Sequence, residues 1–308
     1  MNRVDRLLLG TLRLVHRWQF GLKLRWHTGK HGRLAYLQSP ARNLRTTLVM
    51  LHGLGASKDQ WGSAMLGMAR HHPCVFVDLP GHGQSVYEAG AGFGPLAMLA
   101  ELEDLLDTLV EGPFVLVGSS LGGCVAGLYA AKHPQRVSHL VLLAPAGLGE
   151  QALGPTLKAS LQGAGTVFGY RTVQEMKRFW SLVFQAPPEV GGRLAQAMAA
   201  SGRSRFAAVQ RVVEDFRREG LDVLLERLPQ IAAKTLVIWG RHDQVFLPAT
   251  LENLLQQLPD ARGEFIEDSG HVPYLERGAD VVAAITGFIA TSRGQEESIK
   301  AWPPKSPF

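Results

Sequence analysis

The sequence predicts an α/β fold with a mostly parallel sheet, and three observations carry that expectation. Short apolar runs alternate with helical patterns over most of the chain, which is the rhythm of strands joined by crossover helices. The apolar runs end in glycine-rich turns, such as His52-Gly53-Leu54-Gly55 and Gly118-Ser119-Ser120-Leu121-Gly122-Gly123. The 308 residues are 46% hydrophobic with mean hydropathy near zero, a soluble globular composition with enough apolar material for a large core.

Taken in order, residues 1–20 form a unit of their own. Val4, Leu7, Leu8, Leu12, Val15 and Trp18 recur at helical spacing, with Arg3, Arg6, Arg13 and Arg17 largely opposite. This spacing predicts a basic amphipathic helix. Arg13 and His16 break the apolar run and no small-residue cleavage site follows, so it does not read as a secretory signal. It is also too short and too charged to span a bilayer. Two readings stay open: a helix lying in the plane of an anionic membrane, or one packed on the domain or on a partner subunit.

Leu22 to His27 and Leu34 to Gln38, around Gly29-Lys30-His31-Gly32, predict a hairpin. Strands are expected at Thr47–Leu51, Cys74–Asp78, Phe114–Val117, His139–Leu143, Thr235–Trp239 and Gly263–Ile266. Helices are expected at about Lys58–His71, Pro95–Val110, Cys124–Lys132, Ala249–Leu258 and Tyr274–Ala290. The rhythm stops at Pro145. From residues 146 to 228 there are helical patterns and glycine or proline breaks but no strand run, which suggests a helical cap inserted over the carboxyl edge of the sheet. The expected division is therefore an amino-terminal helix (1–20), a core (21–145 and 229–292), a cap (146–228) and a loose polar tail (293–308). Apolar cap residues such as Leu157, Leu161, Phe168, Met176, Trp180 and Phe206 supply the cap's own core, and a few of them an acyl pocket.

Charge and cysteine content exclude several functions. The net charge of +5 is modest and diffuse apart from the amino terminus and an Arg-rich stretch, Arg203 to Arg218, so no nucleic-acid partner is expected. Cys74 and Cys124 lie in apolar runs and are expected as buried free thiols in a reducing, cytoplasmic setting, with peripheral contact at the inner membrane face as the alternative placement. No Cys/His spacing suits a structural zinc, and no metal or cofactor is expected.

Strand, Gly-x-Ser-x-Gly and helix in succession form the context of a nucleophile elbow, with Ser120 at its centre. Side chains at Gly118 and Gly122 would collide in so tight a turn. A serine hydroxyl needs a base, and that base needs an acid to fix its tautomer. The chain order Ser120, Asp243, His271 supplies them, each a few residues past an apolar strand. His52 and His82, in glycine turns, read as structural. His133 ends a helix, His139 opens a strand, and His242 adjoins the acid but should point away from it. Glu267 and Asp268 compete with Asp243, but leave little loop to turn toward the imidazole. The backbone N–H groups of Leu121 and Leu54 are the candidate oxyanion donors, with Gly53 or Gly55 as alternatives to the second.

His52-Gly53-Leu54-Gly55, Asp78-Leu79-Pro80-Gly81-His82-Gly83-Gln84-Ser85, the serine turn, Trp239-Gly240-Arg241-His242-Asp243 and Ser269-Gly270-His271-Val272-Pro273 together resemble the motifs of α/β-hydrolase fold serine hydrolases. Within that family the chain is most similar to bacterial esterases and lipases of the monoacylglycerol lipase type. The resemblance implies an eight-stranded mostly parallel sheet with helices on both faces, a cap after the sixth strand, and hydrolysis of a small-molecule ester or lipid. Ser120 stands where haloalkane dehalogenases and epoxide hydrolases carry aspartate, which counts against both. Val272 stands where meta-cleavage C–C hydrolases usually carry tryptophan. Thioesterases, cofactor-free haloperoxidases and a non-catalytic binding protein on this scaffold remain as alternatives, the last disfavoured by a complete triad.

Overall fold

In the computed structural model, which describes residues 3–40, 46–88, 90–163 and 165–291, the apolar runs pair into one sheet. Its strands are β1 (Lys23–Thr28), β2 (Gly32–Gln38), β3 (Leu48–Leu51), β4 (Cys74–Val77), β5 (Val86–Tyr87), β6 (Phe114–Ser119), β7 (Val137–Leu143), β8 (Lys234–Gly240) and β9 (Ala261–Ile266). Eight of them run in the order β1-β2-β4-β3-β6-β7-β8-β9, and the two-residue β5 pairs β2 off that path. The β1–β2 hairpin is antiparallel, and β2 meets β4 antiparallel. From β4 to β9 every pairing is parallel. The central strands β3, β4 and β6 are buried throughout, as expected of parallel strands covered on both faces.

The helices are α1 (Arg3–Gln19), α2 (Gly62–Gly67), α3 (Pro95–Leu109), α4 (Leu121–Lys132), α5 (Pro155–Leu161), α6 (Val173–Val183), α7 (Gly192–Glu219), α8 (Thr250–Gln257), α9 (Pro273–Glu276) and α10 (Gly278–Thr291). Two apolar clusters lie on the two faces of the sheet. Residues that alternate along one strand divide between them: Val49 and Leu51 join one, Leu48 and Met50 the other. Between β7 and β8 the described residues form α5, α6, α7 and short 3₁₀ turns.

Two helices differ from expectation. The pattern at Lys58–His71 forms only α2 and a 3₁₀ turn, Met68–Arg70. Lys58 is fully buried and its backbone N–H donates to Asp78 Oδ1, while Gly62 has φ +70°. A left-handed residue cannot continue a right-handed helix, so α2 begins only there. The final helix is broken at Arg277, which has φ −130° and ψ 46°. The expected tail, residues 293–308, lies outside the described residues.

Helix α1 forms as the periodicity predicts but presents the opposite face to the one such helices bury. Leu7, Leu14 and Trp18 are 71%, 64% and 84% exposed, while Arg17 and Asp5 are buried. Asp5 and Arg17 thus lie toward the domain, while Arg3 and Arg6 stay exposed; the helix packs against α7, and its apolar side faces outward.

Candidate active site

The turn after β6 is built by steric exclusion. A Cβ on Gly118 would lie 2.3 Å from the Gly122 carbonyl oxygen, and one on Gly122 would lie 2.1 Å from that of Leu51. Only glycine permits that closeness. Between them Ser120 adopts φ 54° and ψ −116°, a strained conformation that a non-glycine residue holds only when its surroundings impose it. Its N–H donates to the Leu143 carbonyl at 2.9 Å, and its carbonyl accepts from Cys124 and Ala146 at 3.0 Å each. Leu121 opens α4, so its N–H belongs to the helix's unpaired amino-terminal set.

Asp243 follows β8 and is buried. Its Oδ1 accepts from the N–H groups of Val245 and Phe246 at 2.8 and 3.0 Å. Its Oδ2 lies 2.8 Å from His271 Nδ1. A carboxylate can only accept, so Nδ1 carries the proton and Nε2 remains the basic nitrogen. The histidine loop rests on the helical insertion: His271 N–H donates to the Val183 carbonyl at 2.8 Å. Glu276 accepts from both Gly270 N–H and Ala186 N–H, at 2.7 and 3.0 Å, tying the same loop to the end of α6. The rival acids point elsewhere. Glu267 pairs with Arg241 at 3.0 Å and Asp268 with Arg277 at 3.5 Å.

Ser120, Leu54 and Leu121 line one apolar pocket together with Phe246, Leu153, Leu157, Leu161, Phe168, Val212, Val213 and Phe216; its cavity volume is about 70 Å³. Phe246 belongs to both halves of the site, since it also packs its ring edge-to-face on His271 at 5.2 Å. A Cβ on Gly53 would lie 3.2 Å from Ser120 Cβ, so the loop after β3 runs directly beside Ser120. A wider cleft between Leu148, Gln151, Leu225 and residues of α8 contains none of these side chains.

His52 and His82 flank this loop as buried neutral rings. His52 Nδ1 lies 2.8 Å from the Gly53 carbonyl, and Nε2 accepts from Leu79 N–H at 3.2 Å. Together these contacts fix the tautomer. Burial, against the Gly53 hydrogen bond, lowers its pKa to about 4. Burial, with His52 adding to it, lowers that of His82 to about 3.

Sequence reasoning missed Phe246 and the α7 wall. Val209, Val212, Val213 and Phe216 recur at helical spacing, but within a stretch that draws notice for its arginines. Two of those arginines are neutralised locally, Arg211 by Asp215 at 3.0 Å and Arg218 by the same carboxylate at 3.1 Å.

The chain matches the family described as alpha/beta hydrolase fold over residues 46–278. It is 27% identical over 292 residues to monoacylglycerol lipase abhd6-A of Xenopus laevis, covering 91% of this chain and 86% of the relative. It is 28% identical over 269 residues to monoacylglycerol lipase ABHD6 of Homo sapiens, covering 83% and 79%. Among solved structures, that of a membrane phospholipase A, a bacterial virulence factor, superposes with a TM-score of 0.88 at 26% identity, covering 95% of this chain and 93% of that one. The match spans the serine turn, the strand before Asp243 and the histidine loop, and on that extent the chain belongs to the alpha/beta hydrolase fold family.

Proposed function

We propose that this chain hydrolyses carboxylic esters of lipid-like acids through an acyl-enzyme on Ser120. The observation that carries the reading is the joining of the two halves of the site through Phe246: a buried Asp243–His271 pair on one side, a strained serine in an apolar pocket on the other. In this mechanism His271 Nε2 takes the Ser120 proton as Oγ attacks the ester carbonyl, and the protonated ring then delivers that proton to the departing alkoxide. Leu121 and Leu54 N–H groups receive the oxyanion. Water, deprotonated by the same nitrogen, releases the acid. The helical stretch between β7 and β8 acts as the cap, and its Leu157, Leu161, Phe168, Val212 and Phe216 form the acyl wall. The similarity to monoacylglycerol lipases fits an acyl substrate of this kind.

A p-nitrophenyl ester panel tests it. Burial of each added methylene contributes about 0.8 kcal/mol, so kcat/KM is expected to rise roughly fourfold per CH₂ from acetyl until the pocket is full. A profile that falls from acetyl onward would reject the acyl wall, and turnover of none of the esters would reject the hydrolase.

Peripheral membrane contact through α1 is part of the same reading, because its apolar face is the exposed one and its sequence is rich in arginine. Among the described residues no helix is long and apolar enough to cross a membrane. Exchanging Leu7, Leu14 and Trp18 together for serine is expected to reduce sedimentation with phosphatidylglycerol vesicles at least about tenfold. An unchanged pellet would remove the membrane from the account.

A further inference from the structure

The inward side of α1 does more than rest against the domain. Arg17 is buried and grips Asp59 with both arms of its fork, Nε to Oδ1 at 2.7 Å and Nη2 to Oδ2 at 2.8 Å. Nη2 also donates to Gln84 Oε1 at 2.8 Å. Lys58 Nζ donates to the same Gln84 oxygen at 2.9 Å, to Asp78 Oδ2 at 2.6 Å and to Asp59 Oδ2 at 3.4 Å. Asp78 also accepts from the Lys58 and Gln84 backbone N–H groups, at 2.7 Å each. Two cations and two carboxylates are thus closed on one another through one amide oxygen. Burial would raise the Asp59 carboxyl, but the Arg17 hydrogen bonds and the Lys58 charge outweigh it and hold it below the ordinary carboxylate range.

The cluster sits at one end of the loop that begins at His52 and Gly53. At the near end the His52 ring holds Gly53 and Leu79, and Gly53 lies against Ser120. At the far end Lys58 and Asp59 are held by Asp78 and Arg17. Between these anchors the backbone bond from Ala56 N–H to Gly53 O at 3.2 Å makes only a local turn, and the bond from Gln60 N–H to Ser57 O at 3.0 Å closes a second turn around the far anchor. Leu54, the candidate oxyanion donor, lies in this span. We propose that Arg17 is a positioning residue for ester hydrolysis: through Asp59 it fixes the far end of the loop that aims Leu54 N–H at the oxyanion. The amino-terminal helix then belongs to the catalytic geometry and is not only an attachment to it. A bidentate guanidinium–carboxylate contact suits that task, because it fixes direction as well as distance.

The proposal rests on the acyl-enzyme reading, and the experiment separates the two. The wild-type protein is first titrated with a fluorophosphonate; failure to label Ser120 overturns the acyl-enzyme reading and this proposal with it. Arg17→Gln, Asp59→Asn and the double variant are then compared on p-nitrophenyl butyrate, with kcat expressed per titrated serine and the melting temperature measured alongside. An oxyanion donor acts in the transition state, so each single variant is expected to lose about tenfold in kcat at nearly unchanged KM. The double variant is expected to lose no more than either single, because both changes cut the same link. Unchanged kcat per titrated serine with a lowered melting temperature would make Arg17 a purely structural clamp and overturn the proposal. Losses that multiply in the double variant would overturn the route through Asp59.

Discussion

Asp243→Asn is expected to lower kcat for p-nitrophenyl esters by about three to four orders of magnitude while KM changes little. The reason lies in what the carboxylate touches. Oδ1 is held by two backbone N–H groups, from Val245 and Phe246. Asparagine would keep its carbonyl oxygen there, leaving its NH₂ facing His271 Nδ1. That nitrogen would have to become the acceptor, and the ring proton would move to Nε2. A protonated Nε2 cannot take the serine proton, so the base is lost without any change in shape. Steady-state kinetics on folded variant protein checks this. A loss of less than tenfold would transfer the orienting role to another acid, and Glu267 and Asp268 are the ones near enough in sequence.

The second large effect is on stability in mild acid. His52 and His82 are held neutral in the fold, with pKa lowered to about 4 and about 3, against about 6.5 in an unfolded chain. Well above pH 6.5 both rings are neutral in both states, and the linkage is silent. As pH falls from 6.5 toward 4, the unfolded chain takes up two protons that the fold refuses, so stability falls with pH. The limiting slope is about 2.7 kcal/mol per pH unit, and a drop from pH 6.5 to 5 removes on the order of 3 kcal/mol. That is a substantial share of a typical domain stability of about 5–15 kcal/mol. Glu219, whose carboxyl is raised by burial, works in the opposite sense at the lower end of the range, while the lowered carboxyl of Asp59 adds to acid loss below the histidine window. Urea midpoints at pH 7.5, 6 and 5 measure the slope. Equal midpoints at pH 7.5 and 5 would contradict the placement of two neutral rings beside the active-site loop.

Much of this molecule is legible in its sequence because its strands are short, apolar and punctuated by glycine. The hairpin around Gly29 to Gly32 pairs as expected, with Leu24 opposite Leu37 and Trp26 opposite Ala35. The serine turn, the aspartate after β8 and the histidine after β9 are legible for a related reason, since the elements that carry them are regular and the turns demand particular residues. The strand Val86–Tyr87 was illegible, because two residues carry no period. Helix amphipathicity reveals two faces of α1 but not which one meets the protein. That choice was made by the Arg17–Asp59 contact, between residues forty-two positions apart. Lys58 was hidden in the same way: a lysine in a helical pattern reads as solvated surface, and it is Asp78 and Gln84 on a different loop, with Asp59 beside it, that explain its burial. The apolar pocket wall on α7 was obscured by the arginines interleaved with Val212 and Phe216.

The most direct measurement of the central claim is the site of covalent modification. A fluorophosphonate should add once per chain, on the peptide containing Ser120, and Ser120→Ala should lose both the adduct and ester turnover while melting as the wild-type protein does. An adduct on another residue, or a folded Ser120→Ala that still turns over esters, would contradict the account.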